Sequence, residues 1–195
     1  NHGNVGAAIQ NGKNILNNTI IKNGAGAILA DASNNAVVKD NVITDNPGFG
    51  IQNGKTILNN TINNSDASLV ATRSTNAIKA DADATVSGNT ITNNMGYGIS
   101  GGKIITDNTI VINVAANPAV TGTVVANYAI TATANTSARI ERNTITYPIG
   151  NAITNGVLIQ DNTILGHETI TMTGAYGIKA DANASASIKN NSITL

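Results

Sequence analysis

The chain has no cysteine and no tryptophan, and only one phenylalanine and four tyrosines among its 195 residues. Without cysteine it has neither a disulfide nor a thiolate metal site. With aromatics at 3%, it cannot build a core around large rings. Charge is also scarce, at 11% of residues against a usual quarter or so (roughly 25%). Eleven Lys and Arg balance eleven Asp and Glu. They are scattered, so the basic stripe that nucleic acid requires is missing. No apolar run approaches the roughly 18 residues of a membrane span. No signal peptide is visible. The chain opens on Asn1 rather than Met, and we expect a processed or excised segment of a longer chain. Large repetitive envelope proteins often lack cysteine, so the expected location is extracellular or cell-surface, and bacterial.

Hydrophobic residues make up 41% of the chain, most of them Ile, Val and Ala. Asn, Thr and Gly fill much of the rest. Fixed-period self-similarity decides how such a chain is read. The tripeptide Asn-Thr-Ile occurs at Asn18, Asn60, Asn89, Asn108, Asn143 and Asn162, with close variants at Asn41 and Asn191. Two residues after each Asn stands an Ile. Three residues before it stands another aliphatic: Ile15, Val38, Ile57, Val86, Ile105, Ile140, Ile159 or Ile188. Further upstream a third position is always Ile: Ile9, Ile28, Ile51, Ile78, Ile99, Ile130, Ile153 and Ile178. The chain therefore contains eight units with three inward aliphatics each. The core positions include Ile9, Ile15, Ile20, Ile51, Ile57, Ile62, Ile99, Ile105, Ile110, Ile153, Ile159 and Ile164.

The units alternate in length. In the odd ones a tight pair separates the first two aliphatics: Asn11-Gly12, Asn53-Gly54, Gly101-Gly102 and Asn155-Gly156. Such pairs tolerate positive φ. In the even ones a wider arc of small residues intervenes. The residue before each upstream Ile is always Ala or Gly, which predicts a crowded corner. The composition and the apolar spacing exclude helix. Three short strands per unit fit, and stacked units make a β-solenoid. The predicted fold is all-β: a parallel β-helix of about eight coils, forming one domain over residues 1–195.

The pattern of a small residue and Ile (Gly98-Ile99), then Ile105-Thr106-Asp107-Asn108-Thr109-Ile110, resembles the right-handed parallel β-helix. It is similar to the CASH-type repeats of the pectin-lyase-like superfamily, and to surface adhesin and filament solenoids. The resemblance spans the whole chain. It implies an architecture with parallel sheets, and it admits carbohydrate-binding proteins and sugar hydrolases.

The Asn column has a structural reading. Stacked coils rise about 4.8 Å per rung, so Asn18, Asn41, Asn60, Asn89, Asn108, Asn143, Asn162 and Asn191 can pass amide hydrogens up the stack as a ladder. Asn also suits a left-handed backbone at a bend. The Thr after each Asn faces outward. Regular Thr-x-Thr rows suggest ice binding, but Thr90-Thr92, Thr144-Thr146 and Ser192-Thr194 lie only in even coils. A dedicated ice face is expected to be unbroken.

Function is expected at insertions and ends. Three insertions, residues 63–77, 111–129 and 165–177, emerge at one corner, and loops on a rigid scaffold carry function. Their candidate contact residues are Asp66, Arg73, Tyr128, His167, Glu168 and Tyr176. The aromatics Phe49, Tyr97, Tyr128 and Tyr176 stand two residues before an upstream Ile, and corner packing is the favoured reading. Enzymes of the resembled superfamily cluster carboxylates, often with calcium, beside a basic residue. Here Asp40, Asp107 and Asp161, and likewise Asp31, Asp81 and Asp181, never fall in adjacent coils, and Lys79 and Lys179 screen two of them. No catalytic residue, metal or cofactor is assigned. Open solenoid ends invite pairing, and stacking the first coil on the last continues the short–long alternation. The candidate end-to-end interface is Ile9, Ile15 and Ile20 against Ile178, Ile188 and Ile193. The expected function is structural: a filament that stacks head to tail, or an adhesin stalk. The alternatives are a polysaccharide-binding or polysaccharide-cleaving β-helix, and an ice-binding protein. Polysaccharide or a host surface is the other expected partner.

Overall fold

The structure is a computed structural model that describes residues 6–32, 35–64, 76–94, 96–112, 128–134, 137–148, 150–166, 176–180 and 185–194. Twenty-four strands of two to four residues wind into eight coils of three. The first coil is β1 (Ile9–Gly12), β2 (Asn14–Leu16) and β3 (Thr19–Ile21), and the second is β4 (Ile28–Ala30), β5 (Val37–Lys39) and β6 (Val42–Thr44). The third and fourth are β7 (Ile51–Gln52), β8 (Thr56–Leu58), β9 (Thr61–Asn63), β10 (Asn76–Lys79), β11 (Thr85–Ser87) and β12 (Thr90–Thr92). Next come β13 (Tyr97–Ser100), β14 (Ile104–Thr106), β15 (Thr109–Val111), β16 (Ile130–Thr131), β17 (Arg139–Glu141) and β18 (Thr144–Thr146). The last two are β19 (Ile153–Thr154), β20 (Leu158–Gln160), β21 (Thr163–Leu165), β22 (Ile178–Lys179), β23 (Ser187–Lys189) and β24 (Ser192–Thr194).

Every third strand joins the same sheet, giving three parallel eight-stranded sheets. The register is the one the repeat dictates. Ile91 pairs with Ile62 on one side and Ile110 on the other. Val86 lies between Ile57 and Ile105, and Ile78 between Ile51 and Ile99. Inward aliphatics thus stack on one another in three columns, and slipping one residue would turn a column outward. Ile51, Ile57, Ile62, Ile99, Ile105, Ile110, Ile153, Ile159 and Ile164 are at most 1% exposed, and Ile15 and Ile20 are also buried. Ile9 is half-buried against the same core.

The corners explain why no strand grows longer. The residue just before each ladder Asn is left-handed: Asn17, Asp40, Asn59, Gly88, Asp107, Arg142, Asp161 and Asn190 have φ between 52° and 67°. Asn, Asp and Gly tolerate this region best, and they supply seven of the eight corners. The bend therefore belongs to the neighbour of the ladder Asn, a correction to the reading that gave both roles to one residue. Hydrogen bonding continues through the bend, as in Asp107 N–H to Glu141 O (3.2 Å).

Alternation has its own logic. In the short coils Asn11, Asn53, Gly101 and Asn155 turn at φ 56°, 64°, 90° and 65°. A Cβ on the Gly of this turn would press on the coil's own inward Ile, 2.6 Å from Ile15 at Gly12 and 2.5 Å from Ile159 at Gly156. The long coils instead bury small alanines, Ala36, Ala84 and Ala138. Each of these carbonyls accepts two N–H groups from the short coil above: Lys55 and Thr56 on Ala36, Lys103 and Ile104 on Ala84, Val157 and Leu158 on Ala138. Short and long coils interlock as pairs. The small residue before the upstream Ile is needed because a Cβ at Gly50 or Gly98 would lie 2.6 Å from a carbonyl of the next coil.

Ile110→Asp is expected to abolish cooperative unfolding at neutral pH, since it strands a carboxylate in the Ile column at a cost above about 4 kcal/mol. The outward Thr109→Asp should change stability by less than about 1 kcal/mol. Chemical denaturation followed by circular dichroism separates the two.

Candidate functional site

The ladder is continuous from coil one to coil eight. At each rung the backbone N–H and the side-chain Nδ2 both donate to Oδ1 of the Asn in the next coil. For Asn108 to Asn143 these bonds are 3.0 and 2.9 Å, and for Asn89 to Asn108 both are 3.0 Å. The series begins with Asn18 to Asn41 and ends with Asn162 to Asn191. The same Nδ2 reaches back to the Ile or Val carbonyl of the preceding coil, as Asn108 does to Val86 (3.0 Å), and to the carbonyl two residues earlier, Thr106 (2.9 Å). Two hydrogens thus serve three acceptors. All rungs point the same way, donors toward the C-terminal side. Asn41, Asn60, Asn89, Asn108, Asn143 and Asn162 are at most 1% exposed, so each bond sits where an unmade one is costly.

A second ladder escapes the sequence reading. Asn23, Asn46, Asn64 and Asn94 are buried at the other bend. Asn23 N–H donates to Asn46 Oδ1 (2.9 Å), Asn46 N–H to Asn64 Oδ1 (3.3 Å), and Asn64 Nδ2 to Asn94 Oδ1 (3.2 Å). Its spacing from the third Ile is three residues in three coils and two in the other, which hides the period. It runs for four coils. In the fifth, buried Ile112 follows Val111 in place of an Asn.

The acidic residues are corner and pairing groups. Asp40, Asp107 and Asp161 hold the left-handed bends. Asp81 accepts the Gly54 N–H (3.2 Å). Lys55 pairs with Asp83. Asp181 lies outside the described residues. One charged network stands out. Buried Glu141 accepts from Arg139 (2.9 and 3.1 Å) and Arg142 (3.3 Å), while Arg142 also grips Asp107 in the coil below at 2.8 and 3.0 Å. Hydrogen bonding from Arg142 holds the Asp107 carboxyl below the usual carboxylate range, partly opposed by burial. Of the eight residues before a ladder Asn, Arg142 is the one that is not Asn, Asp or Gly, and its side chain ties that corner to Asp107 and Glu141.

The aromatics sit where the spacing places them. Tyr97 and Tyr128 stack, ring centroids 5.4 Å apart, and Phe49 packs over Gly26. Tyr176 is exposed, with Lys179 Nζ 5.9 Å from its ring. Asp66, Arg73, His167 and Glu168 lie outside the described residues. Among the described residues no group of three metal-ligating side chains forms, and no helix is long and apolar enough to cross a membrane.

The outward faces differ. Beside the β2–β23 column stand Lys39, Arg139, Glu141 and Lys189, and beside the β1–β22 column Lys79 and Lys179. The β3–β24 face has two outward columns. One reads Thr19, Val42, Thr61, Thr90, Thr109, Thr144, Thr163, Ser192. The other reads Ile21, Thr44, Asn63, Thr92, Val111, Thr146, Leu165, Thr194. None of these residues is charged.

The two ends are unequal. Ile188 and Ile193 are 51% and 44% exposed and Ile178 is half-buried, whereas Ile15 and Ile20 are buried. Of the N-terminal members of the expected interface, Ile15 and Ile20 are buried and Ile9 is half-buried. Asn18 Oδ1 and the Asn191 backbone N–H have no ladder partner among the described residues.

A family model described as a right-handed beta helix region matches residues 1–114. No curated protein and no solved structure matches the chain. The family holds both enzymes and non-enzymes, so the match by itself assigns no reaction.

Asn108→Ala should destabilise by about 3–5 kcal/mol, because it removes the acceptor of the buried Asn89 backbone N–H and the Asn108 side-chain bonds to Val86 and Asn143; equilibrium denaturation measures it. Arg142→Asn should leave the denaturation midpoint close to the parent's, since relief of left-handed strain offsets the loss of a solvent-screened pair. Asp107 contributes stability above its unfolded pKa of about 3.9, lost as pH falls through its lower folded value. An acid titration of both proteins should therefore show this loss below about pH 4 in the parent and a weaker one in the variant.

Proposed function

Because the chain belongs to the right-handed beta helix family, we propose that it is a structural solenoid of an extracellular or cell-surface protein, a filament element or an adhesin stalk. The observation that carries this reading is the uninterrupted ladder with one polarity. Such a stack is extended by repeating the same corner. Any coil bearing Asn at the same corner can receive the Asn191 N–H, and any such coil can donate to Asn18 Oδ1. In a second copy those two atoms are each other's match. The eighth coil is long and the first is short, so the copy also continues the interlocking of long and short coils. Exposed Ile188 and Ile193 gain burial worth about 25 cal/mol per Å² in that contact. Heterologous contacts of this kind propagate as filaments.

A second reading, recognition of polysaccharide, has one observation in its favour: Tyr176 is exposed beside Lys179, and an aromatic face with a cation suits an acidic sugar chain. The stacked Tyr97–Tyr128 pair favours packing instead.

Electron microscopy and light scattering of the 195-residue chain test the structural reading. Rods that lengthen with concentration, and that Ile193→Lys shortens to single particles, are expected. Particles of about 20 kDa at every concentration would remove the head-to-tail form. Retardation by acidic polysaccharide that Tyr176→Ala abolishes would favour the second reading.

A further inference from the structure

We propose that the outward β3–β24 face is an ice-binding surface. This inference uses only the fold and is independent of end-to-end stacking. The Thr-x-Thr pair occurs in alternate coils, but the pleat and the register show more than the pair does. The column beginning at Thr19 carries a hydroxyl in seven of eight rungs, broken only at Val42. Its neighbour alternates Thr with Ile, Asn, Val or Leu, so it repeats every second rung. Hydroxyls therefore recur about every 4.8 Å along the axis, and the two columns stand about 6.7 Å apart along each strand.

Three further observations favour ordered water over other ligands. First, the face is free of charge across all eight coils, while both other faces carry Lys. A protein or acidic polysaccharide partner is recognised by charge or by large rings, and this face has neither. Second, outward hydroxyls on the other sheets pair with one another, Thr106 with Ser87 (3.2 Å) and Thr154 with Thr131 (3.0 Å). On this face no described protein group bonds the hydroxyls of Thr61, Thr90, Thr109, Thr144 or Thr163, so each keeps its donor and both acceptor sites for water. Third, the array is held stiff. β-branched side chains have few χ1 states, and the buried ladder and Ile columns lie directly beneath. The exposed aliphatics Ile21 and Leu165 are separated along their column by Thr rungs, so they form no contiguous patch of the kind that protein interfaces use. Methyl groups beside regularly spaced hydroxyls order the water between them and match a neutral crystalline lattice of donors and acceptors.

The test is thermal hysteresis and uptake of the protein into a growing ice hemisphere. The parent chain should show both. Thr90→Lys with Thr144→Lys should reduce both to the buffer level, with the unfolding temperature unchanged. Thr56→Lys, on the adjacent sheet, should keep the parent's values. If the lysine variant fails to fold, Thr90→Ser with Thr144→Ser removes only methyl groups and should still lower the hysteresis. No hysteresis and no uptake by the folded parent would overturn the proposal. An equal loss in Thr56→Lys would also overturn it. So would a dimer that the Thr90 variant dissociates, because the face would then belong to a second copy.

Discussion

The buried amide of the corner asparagine is the interaction on which the rest depends. A coil that turns on two or three residues must leave main-chain groups at the bend, and a bend inside a stack is closed to water. Asn108 resolves this in one side chain: it accepts twice from the rung before and donates to the rung after, to the Val86 carbonyl and to its own Thr106 carbonyl. Once the bend is satisfied, strands as short as three residues suffice, and the Ile columns can close over one another. The left-handed residue before it makes the turn, and the ladder makes the turn stackable.

Much of this was legible in the sequence because the period is written in residues that have few other reasons to recur. Asn-x-Ile with an aliphatic three positions earlier located all three columns and their register, and Ala or Gly before Ile78 and Ile99 announced the tight corner. The second ladder was not legible. Asn64 stands one residue closer to its Ile than Asn23, Asn46 and Asn94 do, and the series stops where Ile112 is buried, so no fixed spacing exposes it. Nor could spacing assign the left-handed φ to Asp40 and Asp107 rather than to the Asn that follows them. Their recurrence looked like scattered carboxylates, when in fact it is corner geometry. The alanine carbonyls that join long coils to short ones are invisible for the same reason: any residue has a carbonyl.

The candidate sites divide by the same physics. Residues that serve the scaffold repeat at every rung or every second rung, and the structure places them together. Residues of the insertions do not repeat, and of the candidates there only Tyr128 and Tyr176 fall among the described residues. Between these classes lies the β3–β24 face, which repeats and whose Thr61, Thr90, Thr109, Thr144 and Thr163 hydroxyls bond no other described group. Its hydroxyls are ordered by the scaffold without being used by it, and that distinguishes it from the paired hydroxyls of the neighbouring sheets.

Amide hydrogen exchange resolved by residue tests the central claim most directly. The backbone N–H groups of Asn60, Asn89, Asn108 and Asn143 donate to side chains rather than to main-chain carbonyls. If the ladder closes the corners, they should exchange as slowly as Ile91 and Ile110 in the strands, through opening of the whole stack. Exchange at these four amides orders of magnitude faster than at the strand isoleucines would contradict the account, because the corners would then open locally and the ladder would not be what holds the coils together.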